Sequence, residues 1–252
     1  MKTLFLAWQS PESRAWFPIG RLTFDGELYR FTYIQGVYTA QQQARFQPIW
    51  AFPDLDKVYE SPELFPLFSN RLLRRSRPDY PAFVQWLNIP EHEDEPIALL
   101  SRSGGHRATD TFEVFPYPEP DEQGLYNIHF FAHGLRHLPS ETYPRIQQLQ
   151  PGQLLYVARD CQNPYDPNAL LLRTEDLYNV GYCPRYLVSD ISDLLDQSPE
   201  KLKVLVERVN QPPTPLQFRL LCHLTARWTQ GFQPFSNETY QPLAQEELGA
   251  IA

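Results

Sequence analysis

Asn163, Tyr165, Asp166 and Asn168 crowd into one polar stretch, Arg159-Asp160-Cys161-Gln162-Asn163-Pro164-Tyr165-Asp166-Pro167-Asn168. A carboxylate can accept a hydrogen bond from a hydroxyl, a phenol ring offers a stacking face, and a guanidinium suits a phosphate. Pro164 and Pro167 fix two φ angles, while Asn163, Asp166 and Asn168 can bond their own backbone, so the loop is expected to be stiff. Apolar runs enter it (Leu154 to Val157) and leave it (Ala169 to Leu172), which reads as two strands joined by a displayed turn. The competing reading is a Pro-braced turn that needs no ligand, with Arg159 paired to Asp160 or Asp166.

A second group of cations sits earlier, at Arg71, Arg74, Arg75, Arg77 and Arg107, with Arg102 and His106 nearby. Arginines at i, i+3 and i+4 share a helix face, and Gly104-Gly105 can expose backbone N–H groups to an anion. Such a patch would track phosphates. The alternative is pairing with Glu60, Glu63, Asp79 and the acidic run at 91–95. His129, His133 and His137 alternate along one segment, yet no cysteine pair or acidic cluster adjoins them in sequence, so no metal site and no cofactor are expected. No GxxxxGK[ST], GxSxG or HExxH motif occurs, which argues against an ATPase, a serine hydrolase or a zinc protease.

The 252 residues carry a formal charge of -8, so any contact with nucleic acid must be local, not a coat of positive charge. Aromatics at 14% and 25 prolines indicate a folded, turn-rich protein. Cys161, Cys183 and Cys222 form no CxxC pair and read as reduced thiols. The apolar start, Leu4 to Trp8, is too short for a signal-peptide core, and no run approaches membrane-spanning length. A cytoplasmic protein is expected.

The proline-rich stretch Phe115 to Glu122 divides the chain. Before it, strands are expected at Leu4 to Trp8, Trp16 to Phe24 and Leu28 to Ile34, the last two joined by an Asp25-Gly26 hairpin. Helices follow from Ser61-Pro62 to Leu72, from Pro78 to Leu87, and from Asp94 to Gly104, then a strand over Thr109 to Phe115. After the boundary, strands are expected at Ile128 to Leu135, Gln153 to Ala158, Ala169 to Leu172, Val180 to Cys183, Lys201 to Val209 and Leu216 to Leu224. One helix follows Pro184. The fold class is α+β: an N-terminal meander sheet with short helices over 1–118, a small SH3- or OB-like β-barrel over 124–232, and a weakly patterned tail over 233–252.

The Asn163-to-Asp166 loop, together with Asn179-Val180-Gly181-Tyr182-Cys183-Pro184-Arg185, resembles the HIRAN domain, a small β-barrel found at the front of some DNA-repair helicases. That resemblance implies a pocket for a single-stranded DNA 3′ end, built from Gly134-Leu135-Arg136 and Asn163-Pro164-Tyr165-Asp166. Arg136, Tyr165 and Asp166 would do the main work, supported by His137, Asn163, Asn168 and Arg159. Where the family carries two stacking tyrosines this chain has His137 and Leu138, a departure that weakens base stacking. Residues 64–73 and 99–105 loosely resemble the N-terminal subdomain of HipA-type kinases, with no kinase core following. The expectation is a non-enzymatic protein that binds single-stranded DNA, preferentially at 3′-hydroxyl ends, in repair or replication-fork processing, with RNA not distinguished from DNA. The alternative is an interaction adaptor whose N-terminal domain docks a protein partner.

Overall fold

The computed structural model describes residues 1–90, 92–197, 202–227 and 232–244. Contacts divide the chain into two units. One holds 1–80, 91–117 and 235–252; the other holds 81–90 and 118–234. Among the described residues, no helix is long and apolar enough to cross a membrane.

In the first unit β1 (Lys2–Gln9), β2 (Trp16–Phe24), β3 (Tyr29–Tyr33), β4 (Tyr59–Ser61) and β5 (Phe112–Pro116) form one sheet in the order β4-β3-β2-β1-β5. The β2–β3 hairpin turns where Asp25-Gly26 predicts it. Asp25 Oδ1 accepts the N–H groups of Glu27 and Leu28, and Gly26 takes a φ of 111° that L side chains rarely adopt. Phe31, Tyr33, Phe52 and Phe68 pack at the centre of the core.

Helix α1 (Gly36–Ala44) was not foreseen, because its sequence GVYTAQQQA has little apolar periodicity and no side-chain cap. Its entry depends on Gly36, where a Cβ would lie 2.0 Å from the Pro18 carbonyl oxygen. The helix expected from Ser61 to Leu72 shrinks to α2 (Pro66–Ser69), since Ser61 is taken by β4 pairing with Tyr29. Helix α3 (Tyr80–Trp86) follows, and α4 (Pro96–Ser103) ends on Gly104 in the left-handed region, as its glycine pair suggests. Of the stretch set apart as a tail, 245–252 lie outside the described residues, and 233–244 pack against the sheet. The ring of Phe235 lies 5.3 Å from that of Phe5, and Leu243 N–H donates to the Tyr33 carbonyl at 2.9 Å. Aromatic packing on β1 and backbone pairing, not periodicity, hold it there.

The second unit contains β6 (Leu125–Phe131), α5 (Thr142–Gln147), β7 (Leu154–Arg159), β8 (Leu170–Arg173), β9 (Asn179–Tyr182), α6 (Val188–Gln197), β10 (Lys203–Val209) and β11 (Leu220–Arg227). The sheet runs β6-β11-β10-β7-β8-β9, all pairs antiparallel. Its two ends meet: past the end of β6, His133 exchanges backbone hydrogen bonds with Tyr182 of β9, at 2.9 and 3.0 Å. That bridge curls the sheet into a barrel, the architecture expected. The strand predicted from Leu216 begins only at Leu220. Leu216–Phe218 form a 3-10 turn, and the Arg219 guanidinium turns inward to the Thr214 carbonyl at 2.6 Å.

Candidate nucleic-acid interface

The loop between β7 and β8 is organised by Asn163. Its Oδ1 accepts the N–H groups of Tyr165 and Asp166 at 3.0 and 3.1 Å, and its Nδ2 donates to Asp160 Oδ2 at 3.2 Å. Asp166 repeats the device, accepting Asn168 N–H at Oδ1 across 3.0 Å. Two linked Asx turns braced by prolines thus give the stiffness expected of this sequence. Tyr165, at the tip, is 86% exposed, and Asn168 is exposed too.

Asp166 is not sealed inside the fold. Its side chain keeps 21% of its accessible surface and meets a guanidinium, that of Arg185, at 2.9 Å. Arg185 opens the turn before α6 and also donates to the Tyr165 carbonyl at 3.4 Å. Sequence reasoning did not single it out, although it ends the very run that carried the family resemblance. The expected alternatives for Arg159 are replaced as well: it lies 3.8 Å from Asp196 in a solvent-exposed pair.

The Gly134 segment reaches the same loop through Tyr182. Gly134 has a φ of 73°, and a Cβ there would sit 2.8 Å from Tyr182 Cδ2, so both its backbone and its neighbour call for glycine. The Tyr182 hydroxyl donates to Asp160 Oδ2 at 3.0 Å, the oxygen that Asn163 also bonds. Leu135–His137 form a 3-10 turn, braced from α5 by the Tyr143 hydroxyl donating to the Leu135 carbonyl at 3.1 Å. Arg136 and His137 are exposed, and Arg136 Nε donates to His137 Nε2 at 3.0 Å. Helix α5 is itself pinned by a bidentate pair between Arg145 and Asp176, whose carboxyl is lowered to about 2, chiefly by that guanidinium.

The earlier arginine patch loses Arg71 to the core and keeps Arg74, Arg75, Arg77 and Arg107 at the surface. Residues 70–79 form turns, not one continuous helix face. Arg71 has a fully buried side chain, bidentate to Asp110 at 2.8 and 3.0 Å and bonded to the Gly105 carbonyl at 2.9 Å. Arg75 holds Asp94 at 2.8 Å, and Arg77 pairs with Asp79 at 2.8 Å. Arg74 and Arg107 stay exposed. A buried guanidinium bound to a carboxylate is not available to track a phosphate backbone, so the patch reading fails for Arg71, whereas Arg75 and Arg77 hold their pairs at the surface.

The histidine expectation changes too. His129 associates with His223 on the adjacent strand, not with His133 or His137; the two rings stack at 4.2 Å, 2° from parallel.

The HIRAN domain family model matches residues 125–228. This stretch is a HIRAN domain. A HIRAN domain is a nucleic-acid-binding module, and its span here covers the Gly134 turn, the Asn163 loop, Tyr182 and Arg185. The crystal structure of the HIRAN domain of human HLTF is similar at 20% identity, with 41% of this chain and 74% of that chain covered and a TM-score of 0.31. A crystal structure of a protein from Lactobacillus plantarum is similar at 23% identity, with 41% and 97% covered and a TM-score of 0.32. No curated protein matches. The HipA-like reading of the first half receives no support from these matches.

Proposed function

We propose that the HIRAN domain binds single-stranded DNA at free 3′-hydroxyl ends, and that the chain acts by binding, not by catalysis, in repair or replication-fork processing. The observation that carries this reading is the Asp166–Arg185 pair beside the exposed Tyr165 ring on a stiff loop. Asp166 Oδ2 faces Arg185 and its Oδ1 takes Asn168 N–H, yet a carboxylate has lone pairs for a further donor. A terminal 3′-hydroxyl can donate to it; a 3′-phosphate cannot, and brings like charge against the carboxylate. Arg185 partly neutralises Asp166, so the selection rests on the missing donor as much as on repulsion. Arg185 or Arg136 would hold the preceding phosphate, and Tyr165 would stack on a base.

Fluorescence anisotropy with oligonucleotides differing only in a 3′-hydroxyl or 3′-phosphate tests this. A hydrogen bond to a charged group contributes ~1.5–3 kcal/mol, which predicts a preference of about tenfold or more for the hydroxyl. Asp166→Asn should shrink the preference more than the overall affinity. Equal, weak binding to both ends defeats the proposal. A second reading, protein docking by the first unit, draws on Trp50, which is 95% exposed; Trp is over-represented among interface anchors.

A further inference from the structure

β10 carries an extra residue where β11 does not. Val206 pairs with Cys222 and Arg208 with Leu221, which leaves Glu207 as the unpaired residue of a β-bulge. Two places along β11 from that point, His223 stands directly opposite His129 of β6. The buried face of these strands is apolar: Val204, Val206, Cys222, Leu224, Ile128 and Phe130. Strand alternation puts His129 and His223 on the opposite, half-buried face, and the bulge brings Glu207 to them. Donor atoms of His129, Glu207 and His223 all lie within 4.8 Å of one another.

We propose that His129, Glu207 and His223 form a Zn²⁺-binding site on the outer face of the barrel, separate from the Asn163 loop. Zn–N and Zn–O bonds of about 2.0–2.2 Å in tetrahedral geometry put donors roughly 3.3 Å apart, so metal binding must turn the parallel His129 and His223 rings until an in-plane nitrogen of each faces the ion. Two imidazoles and a carboxylate suit zinc, whereas Mg²⁺ and Ca²⁺ take shells of oxygen.

The groups behind the donors are also in place. His223 Nε2 lies 2.5 Å from Asn127 Oδ1, which leaves Nδ1 as the nitrogen open to a metal. Asn88 Nδ2 donates to Glu207 Oε1 at 2.7 Å, and Asn88 Oδ1 accepts from Arg208 at 3.2 Å, so the orientation of that amide is set from both ends. Arg208 also donates to Asn210 Oδ1 at 2.9 Å, so its guanidinium is held between two amide oxygens. Outer partners of this kind orient ligands and raise metal affinity. All three side chains are half-buried, so water can complete the coordination at an open position.

The signal was invisible in sequence, because the donors lie on three strands and only the register and the bulge unite them.

The test uses the full chain, stripped with chelator, then titrated with ZnCl2 against a chromophoric competitor and with CoCl2 followed by visible absorption. One Zn²⁺ per chain is expected, with intense cobalt bands of a four-coordinate site, and no competition from MgCl2. His129→Gln, His223→Gln and Glu207→Gln should each weaken zinc binding about tenfold or more. Glu207→Gln keeps an acceptor for Asn88, and melting of the metal-free variants shows that they fold. Cys161→Ser, which removes the exposed thiol, should bind as the parent does. Zinc binding that survives Glu207→Gln and His223→Gln, or that vanishes in Cys161→Ser, overturns the proposal, as does a parent chain that binds no zinc.

Discussion

Tyr182 donates its hydroxyl to Asp160 Oδ2 at 3.0 Å, and this one bond ties the closing strand of the barrel to the Asn163 loop. Burial of the ring, followed by the Asp160 carboxylate beside it, raises the phenol above its usual pKa, so it stays a donor wherever the protein is folded. Tyr182→Phe removes the donor and keeps the ring against Gly134. The expected cost is about 1 kcal/mol of stability, read as a lower urea midpoint. If the loop is held from β9, the variant also loses part of its 3′-end preference while the Asp166–Arg185 pair is intact. An unchanged midpoint would mean that Asn163 alone positions the loop.

Much of the frame was legible because it is local. Asp25-Gly26 dictates its hairpin through bonds spanning three residues, Gly104 stops α4, and the Asn163 and Asp166 turns are closed within the loop itself. What misled was long-range. Arg71 shares its sequence spacing with exposed arginines, but its partner Asp110 is 39 residues away and draws it into the core. Arg185 sat in plain view, yet nothing in its spacing says that it faces Asp166, 19 residues upstream, across 2.9 Å. The His129–His223 stack follows from register, which no single strand's pattern encodes.

Arg71 therefore predicts a stability effect, not a binding effect. Its guanidinium holds both Asp110 oxygens and the Gly105 carbonyl and lies 5.3 Å from the Phe112 ring centroid. Removing one member of a buried pair leaves the other uncompensated, so Arg71→Ala should cost about 3 kcal/mol. Arg77→Ala, in an exposed pair with Asp79, should leave the melting transition unchanged. Thermal denaturation of the two variants side by side decides the matter. If Arg71→Ala instead weakened DNA binding in a chain of parental stability, the phosphate-tracking role would return.

Glu113 predicts the pH dependence. Burial raises its carboxyl from 4.5 to about 8, and His106 lies 3.6 Å away with its pKa lowered by burial and then by Arg71. A raised folded pKa means that the native state keeps a proton the unfolded chain has released, so stability falls as pH climbs from 4.5 to about 8. His106 acts oppositely, but only below its unfolded value of 6.5, where the unfolded chain gains a proton that the folded imidazole refuses. Between 6.5 and about 8 only the Glu113 slope remains. It amounts to at most about 1.4 kcal/mol per pH unit. Glu113→Gln should flatten it, so that the variant melts higher than the parent at pH 8 and differs less at pH 6.5. Parallel profiles across that window would show that Glu113 is ionised in the folded state.

Salt dependence separates an end pocket from a backbone-tracking surface. A chain of net charge -8 cannot bind DNA through its overall field, so affinity must come from the few cations at the loop. Arg185 stands at the Asn163 loop and Arg136 is exposed on the Gly134 turn, and counterion release on single strands contributes a slope of about −0.7 per phosphate neutralised. Two contacts give a plot of log K against log salt with a slope near −1.4. Arg185→Ala should make it shallower by about 0.7, and Arg74→Ala should leave it alone. A slope steeper than about −3 needs more phosphates than this loop can reach. Binding would then run along the strand, and selection of its end by Asp166 would lose its basis.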